Sequence, residues 1–177
     1  MALRPFATDP QSAVRQFCVR VSRPEPARLV LEYDLHADPA TVRIESPTGV
    51  AGTAGPTDGL WRHTCMELFA SLQPPGVYVE FNLAPDGRWA AYRFSGYRAG
   101  MAPLTGIRPP HIELQTQSDA LLLRADIALP ADLAAAQLQL GIAAVLENHH
   151  GQLSYWALRH TRDRPDFHHS DGLAFEI

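Results

Sequence analysis

The sequence predicts an all-β fold, an antiparallel β-sandwich of about eleven strands, and two observations support this prediction. Apolar and polar residues alternate with a period of two along most of the 177-residue chain, and no segment carries a sustained helical period. The 12 glycines and 15 prolines recur at short intervals, as the many turns of a sandwich require.

The segment 28–36 shows the alternation most clearly. Leu29 and Leu31 share one face of the extended chain while Glu32 and Asp34 share the other, which is the pattern of a half-buried strand. The same pattern predicts further strands near 14–21, 41–45, 64–72, 77–83, 88–94, 111–117, 120–128, 137–147, 153–159 and 173–177, with a single helical turn within 129–136.

Turn residues separate the predicted strands. The segment 84–87, Ala-Pro-Asp-Gly, has the composition of a tight turn, so 77–83 and 88–94 are predicted to pair as an antiparallel hairpin. The segments 46–60 and 95–110 are rich in Gly and Pro and are predicted to be loops. Long loops at the edge of a sandwich often carry binding residues.

Composition limits the classes of function. The formal net charge is −4 and the basic residues are scattered, so the chain lacks the continuous basic surface that nucleic acids bind. No run approaches the roughly 18 apolar residues of a membrane span, and the N-terminal segment lacks the apolar stretch of a signal peptide. We therefore expect a cytoplasmic protein of one domain, residues 1–177, because 46% hydrophobic residues suffice for one two-layer core.

One sheet face is predicted to be polar and to bind a ligand. The core face of 77–83 is formed by Val77, Val79, Phe81 and Leu83. With 64–72 and 88–94 as neighbouring strands, the opposite face is predicted to carry Glu67, Tyr78, Glu80, Asn82, Trp89 and Arg93, with Trp61 at its edge. Aromatic rings stack on the C–H faces of sugars, and carboxylate, amide and guanidinium groups bind their hydroxyls, so this face fits a carbohydrate.

Two other interpretations of this face stay open. Glu and Arg residues on an exposed sheet form cross-strand pairs of about 0.2–1 kcal/mol, in which case Trp89 packs under a loop. Alternatively, Trp89 and Tyr97 belong to a protein interface, where Trp and Tyr are favoured.

The segments 60–69 and 78–94 resemble the DOMON-like domains related to family 9 carbohydrate-binding modules, and the ending from 156 to 173 is similar too. The resemblance spans roughly residues 14–177. It implies a β-sandwich of the immunoglobulin-like, jelly-roll kind that binds sugars, or haem in some relatives, without catalysing a reaction. The expected function is a non-catalytic module for a carbohydrate or small polar ligand, with a protein-interaction sandwich or a haem-binding domain as the alternatives.

The resemblance also implies roles for individual residues. In the sugar-binding modules an aromatic residue lies six positions before a strand Glu, and Trp61 and Glu67 keep that spacing. The modules carry an Asn with an Arg two residues before it, whereas this chain keeps Asn82 but has Glu80 in the place of the Arg. Trp156 corresponds to their second stacking aromatic residue, which lies near the C-terminus.

Metal and haem chemistry receives less support from the sequence. The last part of the chain gathers His149, His150, His160, His168 and His169 with Glu147, Asp163 and Asp166, but no pair has the spacing of a recognised metal-ligand motif. Haem needs axial ligands such as Met and His, and Met66 is predicted on the core face while Met101 falls in a loop. No cofactor is therefore predicted, with haem, or calcium bracing the loops, as the alternatives.

A hydrolase interpretation rests on the carboxylates of Glu67 and Glu80, since paired carboxylates cleave glycosidic bonds. None of the common catalytic motifs accompanies them. The resemblance also implies binding without chemistry, so we expect no enzymatic activity.

Overall fold

The computed structural model describes residues 1–7, 13–45, 56–72, 75–134 and 136–177. Its strands are β1 (Arg4–Pro5), β2 (Gln16–Glu25), β3 (Arg28–His36), β4 (Cys65–Ser71), β5 (Tyr78–Leu83), β6 (Trp89–Phe94), β7 (Ala102–Pro103), β8 (His111–Thr116), β9 (Ala120–Ala128), β10 (Gln139–Glu147), β11 (Leu153–Ala157) and β12 (Phe175–Glu176). A short helix, α1 (Ala131–Ala134), lies inside the segment where a helical turn is predicted. No helix in the described part of the chain has the length and apolar character needed to cross a bilayer.

The strands form two sheets that enclose a common core. The large sheet has the order β1-β11-β10-β4-β5-β6-β7, and β12 also pairs with β10. The small sheet has the order β2-β3-β9-β8. The paired strands are antiparallel throughout both sheets. The predicted antiparallel β-sandwich is therefore confirmed.

The predicted strand at 41–45 is wrong. Pro39–Thr41 forms a 3-10 turn, and its N-cap residue Asp38 accepts a hydrogen bond from the Ala40 amide at 2.9 Å. The residues that follow, up to Glu45, belong to no strand. Val42 follows this turn directly and is buried. The apolar residue that indicated strand alternation therefore packs beside a turn and not within a strand.

Alternate apolar residues of both sheets fill the interior of the sandwich. The most deeply buried of them include Phe17, Leu29, Leu31, Tyr33, Leu35, Met66, Leu68, Phe81, Leu83, Leu123 and Ile127. Burial of each such side chain contributes about 1.5–3 kcal/mol. The Tyr33 hydroxyl also finds a partner in this interior, because it donates to the backbone carbonyl of Glu67 at 3.0 Å.

The hairpin of β5 and β6 lies where the sequence predicts it. Gly87 adopts a φ of 89°, a left-handed conformation that glycine accepts without steric cost. Asp86 holds the turn by accepting the Arg88 amide at 3.0 Å. Val77, predicted on the core face, is instead 50% exposed because it precedes the first paired residue of β5.

The outer face of the large sheet is covered rather than open to water. A second cluster of buried residues lies on it, consisting of Leu60, Cys65, Phe69, Tyr78, Ala84, Ala90, Tyr92, Phe94, Ala143, Ala157 and Leu173. Trp61 and Phe167, which come from two connecting segments, pack against this cluster. The outer face therefore offers a sheltered site in which polar groups lie among apolar ones.

Candidate functional site

Three of the predicted site residues lie together on the outer face of the large sheet. Glu67 in β4 is directly opposite Asn82 in β5, and Glu80 is opposite Phe69, so the two glutamates are diagonal neighbours. All three polar side chains are buried, and Glu67 is only 3% exposed. The alternation in these two strands thus places Glu67, Glu80 and Asn82 on one face as predicted.

Trp89 and Arg93 do not lie on this face, which corrects the prediction. β6 pairs with β5 so that Trp89 is opposite Leu83 and Arg93 is opposite Val79, and both partners belong to the core face. Trp89 is buried in the sandwich interior. It is therefore unavailable both as a stacking platform on the polar face and as an anchor for a protein interface.

Arg93 has a structural partner of its own. Its guanidinium donates to both carboxylate oxygens of Asp132 in α1, at 2.8 and 3.0 Å. The pair ties the end of β6 to α1 across the edge of the sandwich. The residues of β6 that face outwards are Ala90, Tyr92 and Phe94.

Trp156 also points into the interior, contrary to its predicted role as a ligand-stacking residue. It is opposite Ala144 in the register of β10 and β11, and its ring packs against Phe17 with a centroid distance of 5.8 Å. The preceding residue, Tyr155, is opposite Val145 and takes the outward position. Tyr155 and not Trp156 is therefore the aromatic side chain that β11 brings to the outer face.

Trp61 lies at the edge of the outer face, as predicted. It belongs to the 3-10 turn Leu60–Arg62 and packs edge-on against Tyr92 with a centroid distance of 5.8 Å. The Tyr92 hydroxyl donates to Asp58 at 2.5 Å, which holds the start of the same segment against the sheet. Trp61 stays half-buried, with part of its ring free to contact a ligand.

Trp61, Glu67 and Glu80 border a groove of about 310 Å³ on the outer face of the large sheet. The aromatic side chains that line it are Trp61, Phe94, Tyr155 and Phe167. Its ionisable residues are Glu67, Glu80, Arg98 and His168. Apolar walls around a few convergent polar groups are the usual construction of a small-molecule site.

His168 is a groove residue that the predicted site lacks. Its Nδ1 lies 2.8 Å from the Tyr78 hydroxyl, and its Nε2 lies 3.9 Å from Oε2 of Glu80. The Tyr78 hydroxyl also accepts the Arg98 backbone amide at 3.2 Å. His168 belongs to the cluster of histidines and acids that the sequence shows near the C-terminus. The sequence pattern does not indicate that His168 contacts residues of β5.

Asp166 fixes the two connecting segments that form this wall of the groove. Its carboxylate accepts hydrogen bonds from the Arg98 guanidinium at 2.9 and 3.3 Å, from the Tyr97 hydroxyl at 2.5 Å and from the His168 amide at 3.2 Å. Arg98 itself has a φ of 52°, a conformation that side-chain-bearing residues seldom adopt. The buried carboxylate therefore holds a strained turn and a distant loop together.

One oxygen of the Glu67 carboxyl group has no hydrogen-bond partner in the described part of the protein. This atom, Oε1, is buried. The neighbouring Asn82 amide donates to Glu80 at 2.7 Å instead, and the Asn82 oxygen accepts from the Cys65 thiol at 3.6 Å. A buried polar atom without a partner costs about 1–3 kcal/mol, so Glu67 is a destabilising feature that a ligand is suited to relieve.

Burial changes the ionisation of these groups. It raises the pKa of Glu67 well above the usual 4.5, and the charge of Glu80 raises that pKa further. Burial raises the pKa of Glu80 as well, although the Asn82 hydrogen bond opposes the shift. Burial lowers the pKa of His168 to about 4, so its imidazole is neutral at neutral pH. The two glutamates therefore retain a proton to a higher pH than exposed glutamates do.

We expect Glu67→Gln to stabilise the fold, and to do so increasingly as the pH rises. Above pH 4.5 the unfolded chain has lost the Glu67 proton while the native state keeps it, so wild-type stability falls from that pH up to the raised native pKa. Each unit of the upward shift corresponds to about 1.4 kcal/mol. Urea unfolding at about pH 5 and about pH 8 measures the difference.

The control for this variant is Glu113→Gln, since Glu113 lies in β8 of the small sheet and is exposed to solvent. The same chemical change is made there outside the groove. If Glu67→Gln and Glu113→Gln alter the pH dependence of unfolding equally, the buried carboxyl pair is not the source of the effect.

The residues proposed for metal and haem chemistry are dispersed. In the described ranges, no group of three or more His, Cys, Asp or Glu side chains is positioned to hold a metal ion. His149 and His150 line a different cavity from His168. Met66 is buried in the sandwich interior as predicted, whereas Met101 is exposed at the rim of the groove.

A second cavity, of about 700 Å³, lies at one end of the sandwich. Its lining includes Val42, Leu146 and Trp156 together with Ala7 and Ala13. The groove beside Glu67 is the better candidate because its floor carries a buried carboxyl oxygen, Oε1 of Glu67, that has no hydrogen-bond partner among the described residues.

Comparison with known proteins supports the fold. No protein-family model and no curated protein matches the chain. The fold is similar to the crystal structure of a protein from Bacteroides uniformis ATCC 8492 that is named a "putative carbohydrate-binding protein". The two structures align with a TM-score of 0.59 over 88% of this chain and 75% of the other, at 14% sequence identity. At this identity the likeness establishes a shared β-sandwich architecture.

Proposed function

We propose that this chain is a single-domain, non-catalytic module, residues 1–177, that binds a carbohydrate or another small polar ligand in the groove on the large sheet. The observation that carries the proposal is the buried carboxyl group of Glu67 in an aromatic-lined groove, with its Oε1 lacking a hydrogen-bond partner among the described residues. The resemblance of 60–69 and 78–94 to DOMON-like domains related to family 9 carbohydrate-binding modules supports it. The name of the Bacteroides protein with a similar fold agrees with it.

The groove offers the two kinds of contact that a sugar needs. Trp61, Tyr155 and Phe167 present ring surfaces on which the C–H faces of a pyranose stack. Glu67 and Glu80 line the groove, and their carboxyl groups bind the hydroxyl groups that point to the floor. The affinity is modest, because these contacts replace contacts with water.

Trp61→Ala is expected to reduce ligand affinity on the order of tenfold, because an aromatic contact contributes about 0.5–1.5 kcal/mol beyond the apolar area that it buries. The fold should stay intact, since Trp61 lies in a connecting turn and is half-buried. Isothermal titration calorimetry against a panel of monosaccharides and disaccharides measures the change, with thermal unfolding as the check on folding.

Trp61→Phe is the matched variant, because it keeps an aromatic ring at the same position. We expect it to retain most of the affinity that Trp61→Ala loses. Unchanged binding by Trp61→Ala would place the ligand elsewhere. A folded protein that binds no member of the panel would contradict the carbohydrate proposal.

A further inference from the structure

The groove has an unbalanced acidic floor, and this feature restricts the ligand beyond the proposed class. Glu67 and Glu80 are diagonal neighbours on the outer face, and both are buried. Oε1 of Glu67 accepts no hydrogen bond from the described residues, whereas Oε1 of Glu80 is bound by Asn82. A hydrogen-bond donor stabilises a buried carboxyl oxygen that has no partner, and a charged donor forms a stronger hydrogen bond than a neutral one does.

Arg98 is the nearby cation, and its guanidinium is bound to the Asp166 carboxylate at 2.9 and 3.3 Å. Its charge lowers the pKa of Glu67 and of Glu80, but burial outweighs this effect at both residues. Burial lowers the pKa of His168 to about 4, which leaves the imidazole neutral. The floor therefore holds two buried carboxyl groups that retain a proton to a higher pH than exposed glutamates do, and the described part of the protein offers them no unpaired cation.

The remaining titratable groups that face this floor are neutral as well. Burial raises the pKa of the Cys65 thiol and of the Tyr92 hydroxyl. It raises the pKa of Tyr78 to about 12. Tyr92 donates its hydroxyl to Asp58, which lies at the exposed end of the Trp61 segment. None of these groups compensates the charge of a deprotonated glutamate.

The walls suit a cation as well as a sugar ring. Trp61, Phe94, Tyr155 and Phe167 line the groove around the two carboxyl groups. The faces of aromatic rings attract a positive charge by about 0.5–2 kcal/mol, and the attraction grows where water is excluded. Acidic groups inside an aromatic enclosure favour a ligand amine over a neutral hydroxyl.

We infer that the groove selects amino sugars, with the protonated amine of the ligand donating to the carboxylate of Glu67. This inference rests on the proposed function and narrows it from carbohydrates to their amine-bearing members. Binding of the ammonium group displaces the proton that the glutamate pair retains, and that proton is released to solvent. A neutral sugar leaves the proton in place and gains only the stacking and hydroxyl contacts.

The test is isothermal titration calorimetry with matched sugar pairs: glucosamine and glucose, galactosamine and galactose, mannosamine and mannose. Within each pair the 2-ammonium group is exchanged for a 2-hydroxyl group. We expect the amine of at least one pair to bind on the order of tenfold or more tightly, which is the factor that a charge-assisted hydrogen bond supplies. N-acetylglucosamine, whose nitrogen is neutral, should behave as the hydroxyl sugar does.

Glu67→Gln should reduce the ratio of amine to hydroxyl affinity to about one, because the amide has no negative charge and accepts ammonium and hydroxyl donors alike. Glu113→Gln, an exposed glutamate in the small sheet, should leave the ratio unchanged. Proton release is a second readout: the apparent enthalpy of amine binding should differ between two buffers of different ionisation enthalpy, and that of hydroxyl-sugar binding should not.

The outcomes separate this inference from the proposed function. Equal affinities for amine and hydroxyl sugars, both reduced by Trp61→Ala, would overturn the inference and leave the carbohydrate module standing. An amine preference that survives Glu67→Gln would also overturn it. Absence of binding by every sugar to the folded protein would remove the proposed function and the inference together.

Discussion

Replacing Trp156 with alanine is expected to destabilise the sandwich by about 3–5 kcal/mol, the usual cost of removing a large aromatic side chain from a core. Trp156 is 6% exposed, packs against Phe17 and belongs to the interior cluster between the two sheets. Its indole N–H donates to the Ser154 hydroxyl at 3.0 Å, so a hydrogen bond is lost with the packing. Urea unfolding followed by circular dichroism measures the loss.

Trp61→Ala is the control for this prediction, because it removes the same side chain from a half-buried turn. We expect a loss of stability well below that of Trp156→Ala, together with the larger loss of ligand affinity. If the two variants show the reverse pattern, Trp156 is a ligand contact as the resemblance implies, and the register of β10 and β11 is not as described.

The alternation in the sequence predicts strands well where one face is apolar and the other polar. The strand predicted at 28–36 coincides with β3, and Glu67, Glu80 and Asn82 point outwards from β4 and β5 as predicted. In β3, whose outward polar side chains are half-buried, a shift of one residue would expose the core side chains, so the sequence determines which residues face inwards. Both faces of β4 and β5 are buried, but carboxylate and amide groups lie on one face only, and this distinguishes the outer face in the sequence.

β6 shows where the same argument fails. One face of β6 consists of Trp89, Ala91 and Arg93, and the other consists of Ala90, Tyr92 and Phe94. Each set combines apolar and polar character, so hydrophobicity alone does not assign the inner one. The register with β5 decides it, and the outer face of this sheet is itself buried under connecting segments. A strand that is buried on both faces lacks the polar contrast on which the prediction depends.

The groove wall formed by Arg98, Asp166 and His168 follows from tertiary packing and not from local pattern. Arg98 lies in the connection after β6, whereas Asp166 and His168 follow β11, nearly seventy positions along the chain. Loop positions are set by the few contacts that their side chains make, and residue spacing does not encode those contacts. The sequence therefore predicts an acidic face but not the residues that enclose it.

Asp166→Asn is expected to cost about 2–3 kcal/mol of stability and most of the ligand affinity, because charged hydrogen bonds contribute about 1.5–3 kcal/mol. The Asp166 side chain is 4% exposed and accepts from Arg98, Tyr97 and the His168 amide. An asparagine oxygen can keep one of these partners, but its NH₂ group faces donors instead of acceptors. The strained turn at Arg98 and the His168 segment then separate, and the groove loses a wall.

The pH dependence of Asp166 has the opposite sign to that of Glu67. Burial alone would raise the pKa of Asp166, but hydrogen bonds from Tyr97 and Arg98 outweigh it and hold the pKa below the usual 3.8. The unfolded chain therefore takes up the proton first as the pH falls, so the stability that Asp166 contributes is present above pH 3.8 and is lost as the pH falls through its lowered native value. Wild type and Asp166→Asn should converge in stability in acid.

Asp132→Asn is the matched control, since Asp132 also binds an arginine through two hydrogen bonds. Its side chain is 53% exposed, and solvent-exposed ion pairs contribute only about 0–1 kcal/mol. Equal losses of stability in the two variants would show that burial of the Asp166 carboxylate adds nothing. A larger loss of stability in Asp166→Asn, accompanied by weaker ligand binding only in that variant, would show that the buried Asp166 carboxylate holds the groove wall in place. The two buried acids then have different roles, because Asp166 stabilises the wall whereas Glu67 on the floor contacts the ligand.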